Sequence, residues 1–155
     1  MADFSSGAGA LTFQHVGTFT FGAGASHSIT LTSGKRYWID AIITQGGSND
    51  TPGVRLNGIT NNSYKNNDDG SAQNTTFARI GGTLVAAKII RCSIEIELVG
   101  TYIRYTILGL NDITTRIFVV GWLDDAETSI TSCTFMQNGG NSFTSIVAEV
   151  YEAIA

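Results

Sequence analysis

Two glutamates on one predicted strand are the first candidates for chemistry. Glu95 and Glu97 stand two positions apart in a stretch where apolar and polar residues alternate, so both side chains share one strand face. That spacing predicts carboxylates roughly 6–7 Å apart, close to the separation that glycosidases use. Carboxylates on an exposed strand face are common, and a chain of 155 residues leaves little room for a cleft. We therefore interpret the pair as part of a solvated sheet face.

Residues 66–70, with the sequence Asn-Asn-Asp-Asp-Gly, resemble a calcium loop in composition. An EF-hand pattern requires an acid at position 65 and a bidentate glutamate at position 76, where this chain has Lys65 and Thr76. Asn, Asp and Gly are also the ordinary residues of turns. The pattern favours a polar, turn-rich loop over residues 60–74, and no metal site is predicted.

The histidines and cysteines give no pattern typical of a metal site or a nucleophile. His15 and His27 lie among Thr, Ser and Phe, without Asp or Glu nearby in the sequence, and structural or surface roles are predicted for both. Cys92 and Cys133 are too few for a disulfide framework and are predicted to be small buried apolar residues. The sequence also lacks the P-loop, dinucleotide and Gly-Xaa-Ser-Xaa-Gly patterns. We predict a non-enzymatic protein with no catalytic residue, no metal and no cofactor.

The elements that position these residues are predicted to be strands. The chain has 18 glycines, one proline and only 14% charged residues, a composition that excludes a coiled coil, a helical bundle and a charged disordered tail. We predict an all-β fold, an antiparallel two-sheet sandwich of jelly-roll type, as a single domain over 11–155 after an N-terminal arm over 1–10. The predicted strands are 11–21, 28–32, 35–45, 54–59, 75–80, 92–99, 101–108, 116–123, 129–136 and 144–154, with a further apolar stretch over 83–90.

Several of these strands carry finer predictions. The alternation in 92–99 and the glycine at position 100 predict a hairpin with 101–108. The strand 116–123 is apolar at nearly every position, so we place it centrally in a sheet. In 129–136, regular alternation would place the apolar residues Ile130 and Phe135 on opposite faces of the strand. This change of face indicates a β-bulge between them.

Charge and hydropathy exclude two classes of partner. The net charge is −4, and the nine basic residues are scattered singly apart from Lys35-Arg36, so no direct nucleic-acid partner is expected. No apolar run approaches the roughly 18–20 residues of a membrane span, so no membrane partner is expected. The first residues lack the pattern of a signal peptide, which predicts synthesis in the cytoplasm of the producing cell.

Two parts of the sequence resemble small jelly-roll virion proteins of tailed bacteriophages. One part is the C-terminal region, made of 130–135, 138–143 and a last strand that ends in Val-Tyr-Glu-Ala-Ile. The other is Leu31-Thr-Ser-Gly-Lys-Arg-Tyr37, a strand, a turn and a strand with an aromatic residue just inside. The resemblance implies a virion component, either a capsid cement (decoration) protein or a module of a tail or head fibre. Both kinds commonly assemble as homotrimers.

A capsid cement protein would bind the major capsid protein and stabilise the phage head. Such a protein needs a rigid body and an arm, and residues 2–10 with Asp3 and Phe4 are the candidate arm, Phe4 being its apolar anchor. A fibre module would instead present loops to a receptor or glycan. The candidate binding loop is 60–74, where Tyr64 is the aromatic platform and the polar ligands are Asn66, Asn67, Asp68 and Asp69. A third class is an unrelated carbohydrate-binding or cytokine-like sandwich.

Overall fold

The computed structural model describes residues 12–68, 71–80, 88–111 and 115–154. Within these ranges the chain forms twelve β-strands and no helix, so no described segment is a helix able to cross a membrane. The predicted arm with Asp3 and Phe4, and most of the apolar stretch 83–90, lie outside the described residues. The strands are β1 (Thr12–Phe21), β2 (Ser26–Gly34), β3 (Arg36–Gln45), β4 (Pro52–Leu56), β5 (Tyr64–Asp68), β6 (Ser71–Thr75), β7 (Ala78–Arg79), β8 (Ile89–Val99), β9 (Tyr102–Asn111), β10 (Thr115–Leu123), β11 (Ile130–Gln137) and β12 (Phe143–Ile154).

The strands form two sheets that pack face to face, and this confirms the predicted all-β sandwich. The larger sheet has eight strands in the order β1-β12-β3-β8-β9-β10-β5-β6, and the smaller has four in the order β2-β11-β4-β7. Every pairing is antiparallel. Sheets of eight and four strands establish a sandwich but not its jelly-roll type, which stays a prediction.

Strict alternation along the central strands explains how the core forms. In β3, Tyr37, Ile39, Ala41 and Ile43 are buried, whereas the residues between them reach the other face of the sheet. The core is rich in isoleucine and valine, which suit the pleated surface because their branched side chains are already restricted at χ1. Its largest members are Tyr37, Tyr64, Tyr105, Phe135, Phe143, Ile29, Ile39, Ile43, Leu56, Ile80 and Ile90.

Three finer predictions are confirmed by the strand pairing and burial. β8 and β9 form a hairpin in which Val99 pairs with Tyr102, and Gly100 has a φ of 64°, a left-handed conformation that favours glycine. β11 carries a register irregularity between Ile130 and Ser132, as the phase change predicted. Cys92 and Cys133 are both free and buried, and burial raises the pKa of both thiols, that of Cys133 to about 12.

The prediction of a loop over residues 60–74 is wrong. Most of this segment is the β5–β6 hairpin, which forms one edge of the larger sheet, with Tyr64 paired to Thr75 and Asp68 to Ser71. The sequence hides the strands because the inward positions include a polar residue, Asn66, whose side chain is hydrogen-bonded inside the protein.

A buried carboxylate joins two of the connections that cross between the sheets. Asp50 lies between β3 and β4, and its carboxylate accepts hydrogen bonds from the backbone amides of Thr51 (2.7 Å), Gly139 (2.7 Å) and Asn141 (3.1 Å). Gly139 and Asn141 belong to the turn between β11 and β12, which also passes from one sheet to the other. Burial opposes ionisation of Asp50, but the three amides outweigh it and the pKa of the carboxyl group lies below its usual value.

We predict that replacing Asp50 destabilises the fold in a pH-dependent way. Because a carboxyl whose pKa is lowered on folding contributes stability above its unfolded pKa, Asp50→Asn should reduce the free energy of unfolding by about 1–3 kcal/mol at pH 7. The difference in free energy of unfolding between the native chain and the variant should shrink as the pH falls below roughly 4. In that range the pH passes through the pKa of Asp50 in the folded protein, and the native carboxyl group becomes protonated.

Urea denaturation of both chains at pH 7, 5, 4 and 3 measures this difference. Asp124→Asn is the matched control, because Asp124 is exposed and forms only a surface contact of 3.6 Å with Lys65. A deficit that widens on acidification would contradict the role of the ionised Asp50.

Candidate functional site

The outward surface of the eight-stranded sheet, here called the outer face, carries large apolar side chains in contact with solvent. Val147 on β12, Ile42 on β3, Leu108 and Leu110 on β9, and Phe118 on β10 are 38–48% exposed. We call these five residues the apolar patch. Antiparallel sheets commonly place polar residues on their solvated side, so a cluster of this kind indicates a surface that binds another molecule.

Strand register explains why the patch is continuous. Val147 lies opposite Ile42, and Leu108 lies opposite Phe118, so neighbouring strands place these side chains side by side. Between the two pairs runs β8, whose small Ser93 leaves a depression of about 390 Å³. The walls of this depression are largely apolar, and Asp40, Arg91 and Glu149 are its charged residues.

Aromatic side chains also stand on the outer face. Trp38 and Trp122 are 43% and 50% exposed, and the Trp38 indole donates a hydrogen bond to the Asp40 carboxylate at 2.8 Å. The ring of Phe13 meets Trp38 edge to face, with centroids 5.9 Å apart. An aromatic ring with a fixed orientation is the kind of group that anchors an interface or stacks on a ligand.

The two glutamates that suggested glycosidase chemistry are neutralised by arginines. Arg36 forms ion pairs with Glu95 and with Glu97, the latter at 3.5 Å, and Arg104 pairs with Glu97 at 2.5 Å. Both carboxylates are therefore engaged by guanidinium groups on the surface of the sheet. The arrangement agrees with the interpretation of a charged sheet face.

Another carboxylate on the outer face has partners that are distant in sequence. Glu149 lies 2.7 Å from Nε2 of His15 and accepts a hydrogen bond from the Thr18 hydroxyl, which lies 2.8 and 3.0 Å from its two oxygens. The Thr18 hydrogen bonds, followed by that of His15, lower the pKa of Glu149. Inspection of the residues next to His15 could not reveal this partner, because β1 and β12 come from opposite ends of the chain.

The structure contradicts the proposed aromatic platform at Tyr64. Its side chain is fully buried, and its hydroxyl accepts a hydrogen bond from the Leu56 amide at 2.7 Å and donates to the Ile59 carbonyl at 3.1 Å. Burial raises the pKa of this hydroxyl well above its usual value, which keeps it protonated. Tyr64 therefore holds β4 and β5 together instead of presenting a ring to a ligand.

The other residues proposed with Tyr64 do not form one polar cluster. Asn66 is buried, where it accepts a hydrogen bond from the Tyr105 hydroxyl at 2.9 Å and donates to the Phe77 carbonyl at 3.1 Å. Asn67 is exposed and pairs with Val120 of β10. Asp68 is described only by its backbone pairing with Ser71, and Asp69 lies outside the described residues. Because Asn66 is occupied internally, it is not available to a calcium ion.

The remaining candidates for a bound cation are few. Among the residues that the structure describes, no group of three or more His, Cys, Asp or Glu side chains is arranged to hold a metal ion. His27 stacks on Phe21 with centroids 4.9 Å apart, which is a packing role. The outer face, with its exposed apolar and aromatic side chains, is the candidate functional site.

The sequence contained a signal for this surface in the strand 116–123. Side chains alternate between the two faces of a strand, so a run that is apolar at nearly every position has apolar residues on both faces. In β10, Val119 lies in the core, whereas Phe118 and Trp122 point outward. We placed this strand centrally in a sheet, and β10 does lie between β9 and β5, with one of its two sides reaching solvent.

Comparison with known proteins does not place the chain in a family. No protein-family model matches the sequence. No curated protein matches it at a significant level.

We predict that Tyr64→Phe destabilises the protein, because the buried Leu56 amide loses its acceptor. The free energy of unfolding should fall by about 1–3 kcal/mol, the cost of leaving a buried donor unsatisfied. Urea denaturation followed by circular dichroism measures the change. Asn67→Ala, on the exposed side of the same strand, is the control and should change the value by less than about 0.5 kcal/mol. Equal stability of Tyr64→Phe and the native chain would show that this hydrogen bond has no structural importance.

Proposed function

We propose that this chain is a non-enzymatic structural protein of a virus particle, a capsid cement protein that binds the major capsid protein and stabilises the head. The observation that carries the proposal is the apolar patch on the outer face, because a surface of this kind is suited to docking on protein. The resemblance of residues 130–154 and 31–37 to small virion proteins of tailed bacteriophages supplies the kind of particle. The jelly-roll type of the sandwich is part of the same proposal.

Burial of the patch offsets part of the free-energy cost of association. A fully buried Leu, Ile or Phe side chain contributes about 1.5–3 kcal/mol, so the exposed two-fifths of each patch residue corresponds to about 0.6–1.2 kcal/mol. The five residues together amount to about 3–6 kcal/mol, which corresponds to a factor of roughly 10²–10⁴ in affinity. In a homotrimeric cement protein, binding of one copy raises the effective concentration of the two linked copies at neighbouring sites of the lattice.

The arm and the assembly state complete the proposal. Residues 2–10, with Asp3 and the apolar anchor Phe4, are proposed to contact a neighbouring capsid subunit. The resemblance also implies that the protein forms homotrimers on the capsid. The acidic net charge of −4 suits contact with protein better than contact with packaged DNA.

A second candidate function, a receptor- or glycan-binding module of a tail or head fibre, is favoured by Trp38 and Trp122. Both rings are about half exposed, and flat aromatic faces of this kind stack on the apolar face of a sugar. Trp38→Ala with Trp122→Ala should then abolish binding of the chain to host cells, measured by flow cytometry. Under the cement function, the native chain shows no binding to host cells.

The cement function is tested by sedimentation with capsids. Purified chain is added to particles that lack it, from the virus that encodes it, and bound protein is measured after density-gradient centrifugation. We expect saturable binding at a fixed number of copies per capsid. Leu108→Asp, in the apolar patch, should reduce binding by at least tenfold because an ionised group is desolvated at the interface.

Two further chains make this test specific. Thr30→Asp places the same charge on the exposed, polar outward surface of β2 and should bind like the native chain. A chain without residues 2–10 should fold normally and lose attachment. Absence of the native chain from the capsid fraction would contradict the cement function, and attachment of the truncated chain would contradict the role of the arm.

A further inference from the structure

Beside the ion pairs of Arg36, Glu95, Glu97 and Arg104, the outer face has two adjacent rows across the strands in which the charges are sorted by sign. The basic row holds two arginines and no acid, and the acidic row holds two acids and no cation. By strand register, the basic row is Thr20, Val147, Ile42, Arg91, Leu110 and Arg116, and the acidic row is Thr18, Glu149, Asp40, Ser93, Leu108 and Phe118. The rows are two residues apart along each strand, or about 7 Å.

The arginines of the basic row have no partner within the part of the chain that is described. Arg91 and Arg116 are exposed, and no described carboxylate forms an ion pair with either of them. Arg91 lies at the rim of the depression whose floor contains Ser93, and Asp40 lies at the same depression. Two unpaired guanidinium groups among apolar side chains are suited to carboxylates or aromatic faces on another molecule.

We propose that the outer face packs against the same face of a second copy of this chain, about a two-fold axis that runs across the strands between the two rows. This operation places the basic row of each copy over the acidic row of the other. Arg91 then enters the depression of the second copy above Ser93 and beside Asp40. Arg116 lies over the Phe118 ring in a cation–π contact, and Leu110 packs on Leu108.

The face is large enough for such a contact. Six strands carry the two rows, and outward positions 89, 91, 93 and 95 of β8 mark four rows placed symmetrically about the axis. At about 4.8 Å between strands and about 7 Å between rows they cover about 800 Å², close to the roughly 800 Å² per partner of a standard interface. A two-fold axis across the strands leaves the strands of both copies nearly aligned, which is a common packing of one sheet on another. The apolar patch then forms the dry centre of the interface, where the depression receives a side chain.

The opposite side of the molecule provides the contrast. The outward surface of the four-stranded sheet is formed by hydroxyl side chains, among them Ser28, Thr30 and Thr134, with a hydrogen bond of 2.9 Å between Thr134 and Ser28. That surface is the ordinary solvated side of an antiparallel sheet. The exposed apolar residues and the two charged rows are therefore particular to the outer face and do not follow from the overall composition of the chain.

This inference deepens the homo-oligomeric part of the proposed function and does not require a capsid. Because the cement function places the same face on the major capsid protein, the pair is the form of the free chain, and it separates when the face docks on a capsid. Pairing without attachment to capsids would uphold the two-fold contact and overturn the cement function. Attachment by a chain that never pairs would do the reverse.

The molar mass of the purified full-length chain, measured by light scattering over a range of concentrations, is the first test. We expect a dimer of twice 16.5 kDa, or another even multiple. A monomer at the highest concentration, or a trimer, would overturn the proposal.

Charge reversal across the axis is the decisive test. Asp40→Arg and Arg91→Asp should each weaken self-association by at least tenfold, because each places like charges together twice in the symmetric pair. A mixture of these variants should form a one-to-one heterodimer. In that pair the introduced arginine faces the introduced aspartate, and the native Arg91 of one chain faces the native Asp40 of the other.

Matched controls keep this test falsifiable. Thr30→Arg, on the four-stranded sheet, should leave the mass unchanged, and circular dichroism should show native folding of every variant. If either charge reversal prevents folding, Asp40→Lys and Arg91→Glu replace the pair. A native dimer whose two folded variants do not associate when mixed would overturn the Arg91–Asp40 contact and with it the proposed two-fold axis.

Discussion

The packing of the inward faces of β3, β8 and β9 on the four-stranded sheet is the interaction on which the rest of the structure depends. Isoleucines at alternate positions, such as Ile39, Ile94 and Ile107, are fully buried there. Because side chains alternate across a strand, the choice of inward residues also fixes which residues point outward. A slip of one residue in any of these strands would bury ionised groups such as Glu95 and expose the core, so the register is strongly specified.

The ends of the sandwich depend on polar contacts instead. At one edge, the Tyr64 hydroxyl accepts a hydrogen bond from the Leu56 amide, and the Tyr105 hydroxyl donates one to Asn66. These contacts hold the polar β5–β6 hairpin at the edge of the larger sheet. Elsewhere, Asp50 joins the β3–β4 and β11–β12 connections, which are two of those that pass between the sheets. Buried polar groups tolerate so few alternative arrangements that they fix the position of these segments as firmly as the apolar core fixes the strands.

The outer face combines features that a free solvated sheet does not require. Ion pairs among Arg36, Glu95, Glu97 and Arg104 occupy one part of it, and these pairs satisfy their own charges. The neighbouring part has apolar side chains and two arginines without described partners. Covering that second part would release free energy. Both proposals made for this chain, attachment to a capsid and pairing of two free copies, use this same surface.

The sequence by itself determined the strand-rich fold, most strand positions, the β8–β9 hairpin, the bulge in β11 and the burial of both cysteines. These features depend on local alternation, turn residues and composition, which are read along the chain. The tertiary structure alone decided that the polar segment at 64–75 is a hairpin and that Tyr64 is buried, since the hairpin pairs with β10, which is distant in sequence, and the core covers Tyr64. It also decided that Glu149 meets His15, and that Arg91 and Asp40 border one depression, because antiparallel register between strands remote in sequence sets those neighbours.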